Sequence, residues 1–138
     1  MIKKLAKVER AGLGFTDRKI LTAHIVVKYE EGLCQDICAF CLDTSLPRDW
    51  DRVTPEYVAG ERVYRYGTKE GCEFIRRTLE VFNVDDLHLL KGTYLWVLGK
   101  GEGLNFKPVG FKPLEVDSNF RKGSVIYADI FETESQHR

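Results

Sequence analysis

Residues 68–98 read TKEGCEFIRRTLEVFNVDDLHLLKGTYLWVL, and they join the long helical pattern of the chain to its most apolar strand pattern. Side chains at i, i+1, i+4, i+5 and i+8 share one face of a helix. The residues at these positions are Phe74, Ile75, Thr78, Leu79 and Phe82. Thr68 can cap the first turn, and Asn83 tolerates the left-handed conformation that ends helices. We therefore predict a helix between Thr68 and Asn83.

The other face of this helix is charged, and it carries Glu73, Arg76, Arg77 and Glu80. The i,i+4 spacing of Glu73 and Arg77 adds a small stabilising interaction. We interpret these arginines as part of a solvated helix face. The segment Tyr94–Leu98, which follows a polar turn, predicts a buried strand.

Short strands are predicted on both sides of this stretch. Alternating apolar residues indicate strands at 5–13, 20–29, 33–42 and 125–131, and two Phe-Lys-Pro repeats at 106–108 and 111–113 indicate an edge or irregular strand. Gly12 and Gly14 bracket Leu13 and suggest a bulge or a bend. The glycine-rich run at 99–103 has no helix pattern behind it, so it indicates a hairpin rather than a phosphate loop.

The order of these elements predicts a mainly β fold with one helix. Three strands, an insertion, a helix and further strands match the OB-fold, a five-stranded antiparallel barrel that a helix plugs between the third and fourth strands. The alternative is an open antiparallel sheet with one packed helix. We expect a single domain over 1–131, with an irregular insertion at 44–67 and a flexible tail at 132–138.

Charge is balanced overall but unevenly distributed. The 138 residues include 21 basic and 21 acidic side chains, so composition alone does not favour a polyanionic partner. Basic residues are in excess at 1–30 and at 91–123, and a basic face forms if these two segments lie side by side. No apolar run is long enough for a membrane span, and the amino terminus lacks a secretion signal, so we expect a cytoplasmic protein without a membrane partner.

Residue types with catalytic or metal-binding chemistry do not form a recognisable set. Cys38 and Cys41 make a Cys-x-x-Cys, but it lies in a strand pattern where positions three apart point to opposite faces. His24 and His88 have no nucleophile or carboxylate at a triad or metal-ligand spacing. We predict reduced cysteines, no metal, no cofactor and no enzymatic activity.

Basic and aromatic residues are interleaved in the insertion. Aromatic rings stack on the bases of single-stranded nucleic acid, and guanidinium groups meet its phosphates. Candidate binding residues are Arg48, Trp50, Arg52, Tyr57, Arg62, Tyr64, Arg65 and Tyr66, together with Trp96. The same residue types are typical of protein interfaces, and rings in a long loop can also fix it to the core.

Short segments across the chain carry a resemblance to known proteins. They are AGLGFTD at 11–17, ILTA at 20–23, FCLD at 40–43, FIRR at 74–77 and LEV at 79–81. This set resembles small phage and prophage proteins of unassigned function. The helix, Gly92 and the apolar strand after it are similar to phage single-stranded-DNA-binding proteins with an OB-fold.

The resemblance implies a phage accessory role in the host cytoplasm and assigns no residue a function. The first hypothesis is a non-enzymatic protein that binds single-stranded nucleic acid. The second is a protein-binding inhibitor of a host factor, such as an anti-defence protein. Both hypotheses are compatible with a homo-oligomer.

Overall fold

The fold is an open antiparallel sheet with helices packed on one side. The computed structural model describes residues 1–16, 20–38, 40–45, 65–114 and 123–136. Seven strands form the main sheet: β1 (Ile2–Phe15), β2 (Leu21–Tyr29), β3 (Cys34–Asp36), β4 (Phe40–Cys41), β7 (Tyr94–Lys100), β8 (Lys107–Pro113) and β9 (Val125–Ile126). A two-stranded sheet pairs β5 (Asp43–Ser45) with β6 (Arg65–Gly67). The helices are α1 (Lys69–Phe82) and α2 (Tyr127–Gln136).

The predicted barrel is wrong, and the open sheet that we gave as the alternative is the observed form. The strands lie in the order β3, β2, β1, β7, β8, β9, and β4 also pairs with β2. Closure needs hydrogen bonds between the two outermost strands. These strands are two or three residues long, and within the described ranges β9 pairs with β8 alone.

The helix predicted from Thr68 to Asn83 is confirmed, but it does not plug a barrel. The Thr68 hydroxyl accepts a 2.9 Å hydrogen bond from the Gly71 amide, and Asn83 is left-handed with φ 54°. Phe74 and Thr78 are buried, and the other three predicted apolar residues pack at the edge of the core. Helix α1 covers one face of the sheet because its apolar side meets β8 and β9.

The predicted strand 33–42 is broken into short pieces. The Asp36 carboxylate accepts hydrogen bonds from the amides of Ile25 at 3.3 Å and Cys38 at 3.2 Å. These bonds replace ladder bonds between main chains, so β3 ends at Asp36 and pairing with β2 resumes only at Phe40.

The irregularity in β1 lies elsewhere than predicted. Its register against β2 shifts between Val8 and Arg10, which makes Glu9 the extra residue of a β-bulge. Pairing is continuous through Gly12 and Gly14, so of the expected bulge or bend at the glycines, the bulge is wrong.

The predicted last strand, 125–131, is mostly helical. Only Val125 and Ile126 pair with β8, and α2 follows directly. Tyr127, Ile130 and Phe131 have the i, i+3, i+4 spacing that places side chains on one helix face. That face joins the core, where the Tyr127 hydroxyl donates a hydrogen bond to the Ile37 carbonyl.

The core fills the space between the sheet and the helices. Aromatic rings dominate it: Phe74 lies 5.6 Å from Phe40, 6.1 Å from Phe131 and 6.3 Å from Phe111 between ring centroids. The glycine run at 99–103 is the predicted hairpin, since β7 and β8 pair on either side of it. Within the described part of the chain, no helix is both long and apolar enough to cross a membrane.

Candidate nucleic-acid interface

The face of the sheet opposite the helices presents a distinct set of side chains. Directly paired residues in antiparallel strands project to the same side of a sheet. Ala6, Val8 and Leu95 point into the core, so the residues between them in the alternation point the other way. We call this side the open face. By register it carries Lys3, Leu5, Lys7, Arg10, Thr22, His24, Val26, Lys28, Tyr94, Trp96, Leu98, Lys112 and Ile126.

The open face is basic because the two basic segments of the sequence are neighbours. β1 pairs with β7, and Lys7 lies directly opposite Tyr94. The five cations of the face are Lys3, Lys7, Arg10, Lys28 and Lys112. Among the described residues, the carboxylates on or beside it are those of Glu9 at the bulge and Asp36 at the outer strand. The face therefore has a local excess of positive charge.

Two aromatic rings stand among these cations. The Tyr94 side chain is 51% exposed, and Trp96 is partly exposed. The Lys7 Nζ lies 5.9 Å from the Tyr94 ring centre, and the Lys3 Nζ lies 4.6 Å from the Trp96 ring centre. Both distances allow cation–π attraction, which holds each ammonium group beside a ring. Positions two apart in a β-strand lie about 7 Å from each other. The rings of Tyr94 and Trp96 therefore have a spacing that suits successive bases of an extended nucleic-acid chain.

A third ring lies further along the same face. His24 is paired with Gly12, and its imidazole occupies the space above that glycine, where a Cβ atom would lie 3.7 Å from the ring. Gly12 and Gly14 add no side chains to the face. The β1 side of the His24 ring therefore carries no side chain at these two positions.

The predicted binding residues have three different outcomes. Arg48, Trp50, Arg52, Tyr57, Arg62 and Tyr64 lie outside the described residues, so their roles stay predictions. The backbones of Arg65 and Tyr66 belong to β6 and pair with Ser45 and Thr44. Trp96 lies on the open face, together with side chains that were not predicted to bind.

Sequence reasoning missed Lys3, Lys7 and Tyr94 although a signal was present. Lys3, Leu5 and Lys7 alternate with core residues in β1, and Tyr94 and Trp96 alternate with Leu95 and Val97 in β7. The second run predicts a buried strand, and only Trp96 in it is a predicted binding residue. On the open face of β7, Tyr94 is exposed and Trp96 is partly exposed, whereas Leu98 is buried.

The arginines of α1 are engaged with carboxylates, which confirms the solvated helix face. Arg76 contacts Glu73 at 3.2 Å and Glu80 at 3.1 Å, and the Arg77 Nε lies 2.5 Å from the Glu73 Oε2. Hydrogen bonds from Arg76 and Arg77 lower the pKa of Glu73 to about 2. These guanidinium groups are neutralised within the helix, whereas the five cations of the open face remain available to an anion.

The cysteine arrangement is that of separate thiols. Cys38, which lies between β3 and β4, is buried, and Cys41 in β4 is exposed. Burial raises the pKa of the Cys38 thiol well above its usual value, which makes the thiolate rare. In the described ranges, no three His, Cys, Asp or Glu side chains are placed to hold a metal ion.

Comparison with other proteins gives no independent indication of function. The chain matches no family model, no curated protein and no solved structure. The geometry of the open face is therefore the basis for the functional inference.

Proposed function

We propose that the protein is a non-enzymatic phage accessory protein that binds single-stranded nucleic acid on the open face of its sheet. The observation that carries the binding proposal is the pairing of Tyr94 and Trp96 with Lys7 and Lys3 on one exposed surface. The rings supply stacking surfaces, and the ammonium groups beside them supply phosphate contacts. The phage origin in this proposal comes from the sequence resemblance.

A single strand fits this surface better than a duplex. Bases must be unstacked before protein rings can stack on them, and a flat sheet with projecting rings recognises splayed bases. Duplex recognition in the major groove instead uses an inserted helix or a two-stranded ribbon. The two arginines of α1 are already paired with carboxylates of the same helix, which leaves that helix poorly suited to a groove.

A net charge of zero is compatible with this proposal because the charges are segregated. Residues 31–90 contain twelve acidic and seven basic side chains. Among the described residues of that segment, Asp36 is the acidic one that register places on the open face. The five cations come from residues 1–30 and 91–123, so a bound strand meets a positive surface on a neutral protein.

The test is the affinity of a fluorescently labelled oligonucleotide, measured by anisotropy at low salt. Stacking on an aromatic side chain contributes about 1–3 kcal/mol per base, so Trp96→Ala should weaken binding about 5- to 150-fold. Trp96→Phe retains a ring and should recover part of that loss. The matched control is Leu104→Ala, which removes a 95% exposed side chain from the β7–β8 turn and should leave affinity unchanged.

Three results would refute the proposal or move the site. Absence of binding by the intact protein at low salt would exclude nucleic-acid recognition. A loss of affinity with Trp50→Ala but not with Trp96→Ala would locate the site in the insertion. A stoichiometric protein partner that survives nuclease treatment, in a chain that binds no oligonucleotide, would favour the inhibitor of a host factor.

A further inference from the structure

Strand β1 extends past its neighbour on one side. β7 pairs with β1 from Ile2 to Lys7. The last hydrogen bonds on this side are those of Val8, whose amide donates to the Thr93 carbonyl and whose carbonyl accepts from the Gly92 amide, both at 2.8 Å. From Ala11 to Phe15, β1 is paired with β2 on its other side. In the described part of the chain, this edge of the stretch has no main-chain hydrogen bonds, and the nearest segment is the single turn of 3-10 helix at Leu87–Leu90, which contacts β1.

The hydrogen bonds of β2 show in which direction the amides and carbonyls at 11–15 of β1 point. The amide of Ile25 donates to Asp36, and its carbonyl accepts from Ile37, so both groups point away from β1. Its partner in the register, Ala11, must then point its own amide and carbonyl away from β2.

The same reasoning applies at the other end of the edge. The Leu21 amide donates to the Asp43 carboxylate, and the Leu21 carbonyl accepts from the Leu42 amide, so both groups point away from β1. Phe15, the register partner of Leu21, therefore points its own amide and carbonyl away from β2. Leu13 lies two residues from both Ala11 and Phe15 and has the same orientation. The three residues present three amides and three carbonyls, and none of the six has a partner among the described residues.

The side chains beside this edge are apolar and exposed. Leu13 is 51% exposed and Phe15 is 66% exposed, and both project on the helix side of the sheet. On the open face the same stretch presents Gly12 and Gly14. An edge with unpaired polar groups and exposed apolar side chains favours pairing with another strand.

We propose that a second copy of this chain pairs with this edge, antiparallel about a two-fold axis at Leu13. In that register Leu13 faces the partner's Leu13, and Ala11 faces the partner's Phe15. Each of these pairs exchanges two hydrogen bonds, so all six outward groups on each strand are satisfied. The apolar side chains of both copies then form one cluster on the helix side.

Several features favour a second copy over an unrelated peptide. The stretch lies between the Gly92–Val8 hydrogen bond at one end and the Thr16–Ile20 hydrogen bond at the other, so it is short, and a second copy offers an edge of the same length. Gly12 lies opposite the partner's Gly14, which avoids steric conflict on the open face. Arg10 lies opposite the partner's Thr16, which avoids opposed like charges. The pairing also joins the two open faces into one surface.

The first experiment is sedimentation equilibrium of the full chain over a wide concentration range without nucleic acid. We expect the mass to shift from one chain to two as concentration rises. Leu13→Lys should abolish the shift, because a lysine at a strand edge opposes pairing. Leu104→Lys places the same residue at another exposed site and should leave the shift intact.

A second experiment tests the register by disulfide formation. The background replaces the exposed Cys34, Cys41 and Cys72 by serine. Hydrogen-bonded pairs have Cα atoms about 5.5 Å apart, which suits a disulfide. Leu13→Cys should crosslink two chains. Phe15→Cys alone should not, whereas Ala11→Cys combined with Phe15→Cys should.

A chain that stays monomeric at every concentration would overturn the proposed dimer. Efficient crosslinking of Phe15→Cys alone would overturn the register. Both readouts are independent of nucleic-acid binding, so failure of the dimer is distinguishable from failure of the proposed function.

Discussion

The salt dependence of oligonucleotide binding should report the number of cations on the open face. Each phosphate neutralised on a single strand contributes about 0.7 to the slope of log affinity against log salt. The five cations of the open face therefore predict a slope of about −3.5 when all of them are engaged. A fourfold rise in salt should then reduce affinity by about a hundredfold.

Individual lysines can be tested against this slope. Lys7→Gln should flatten it by about 0.7, and replacing Lys3, Lys7 and Lys28 together should leave a slope of about −1.4. Lys69→Gln removes the same charge from the exposed first turn of α1 and should leave the slope of the unmodified protein. Anisotropy titrations at several salt concentrations provide all four slopes. Equal effects of Lys7→Gln and Lys69→Gln would refute a binding surface on the open face.

Two further predictions concern stability. Phe74→Ala removes a fully buried ring that meets three other rings, and it should lower the free energy of unfolding by about 3–5 kcal/mol in urea titrations, against less than ~0.5 kcal/mol for Leu104→Ala; a loss below ~1 kcal/mol for Phe74→Ala would contradict its place in the core. The folded pKa of Glu73, about 2, lies below its ordinary 4.5, so its stabilisation is present above pH 4.5 and is lost as pH falls toward 2. Glu73→Gln should cost about 0.5–1 kcal/mol at neutral pH because these ion pairs are largely exposed. The cost should shrink as pH falls from 4.5 and disappear below the folded pKa of about 2, whereas a cost independent of pH would exclude the ionic origin.

Features determined by neighbouring residues were predictable from the sequence. The limits of α1 follow from the cap at Thr68 and the left-handed residue Asn83, and both signals act within one turn. The alternation of β2 is equally local, and the strand indicated at 20–29 is observed at Leu21–Tyr29. In these segments the hydrophobic period, the caps and the turns indicate the same structure.

Features determined by distant contacts were not predictable. The end of β3 depends on a hydrogen bond from the Ile25 amide to Asp36, eleven positions away in the chain. The open form of the sheet depends on how few residues pair at its two edges. Val125–Phe131 is too short to separate a period of two from a period of 3.6, so the start of α2 at Tyr127 was missed.

The candidate site was predictable in part. The basic segments and Trp96 were recognised from the sequence, but their common location required the pairing of β1 with β7. Tyr94 was placed in a buried strand because an apolar run does not reveal which of its sides the helices cover. The residues of the insertion outside the described ranges have a separate test in Trp50→Ala.

The environment of the Trp96 indole during binding tests the central claim most directly. The chain has two tryptophans, so Trp50→Phe leaves Trp96 as the one indole N–H signal in a ¹H–¹⁵N spectrum. Titration with an unlabelled oligonucleotide at low salt should shift that signal and the amides of Leu5, Lys7 and Tyr94, and it should leave the α1 amides in place. A saturable complex in which the Trp96 indole and these amides do not shift would contradict binding on the open face.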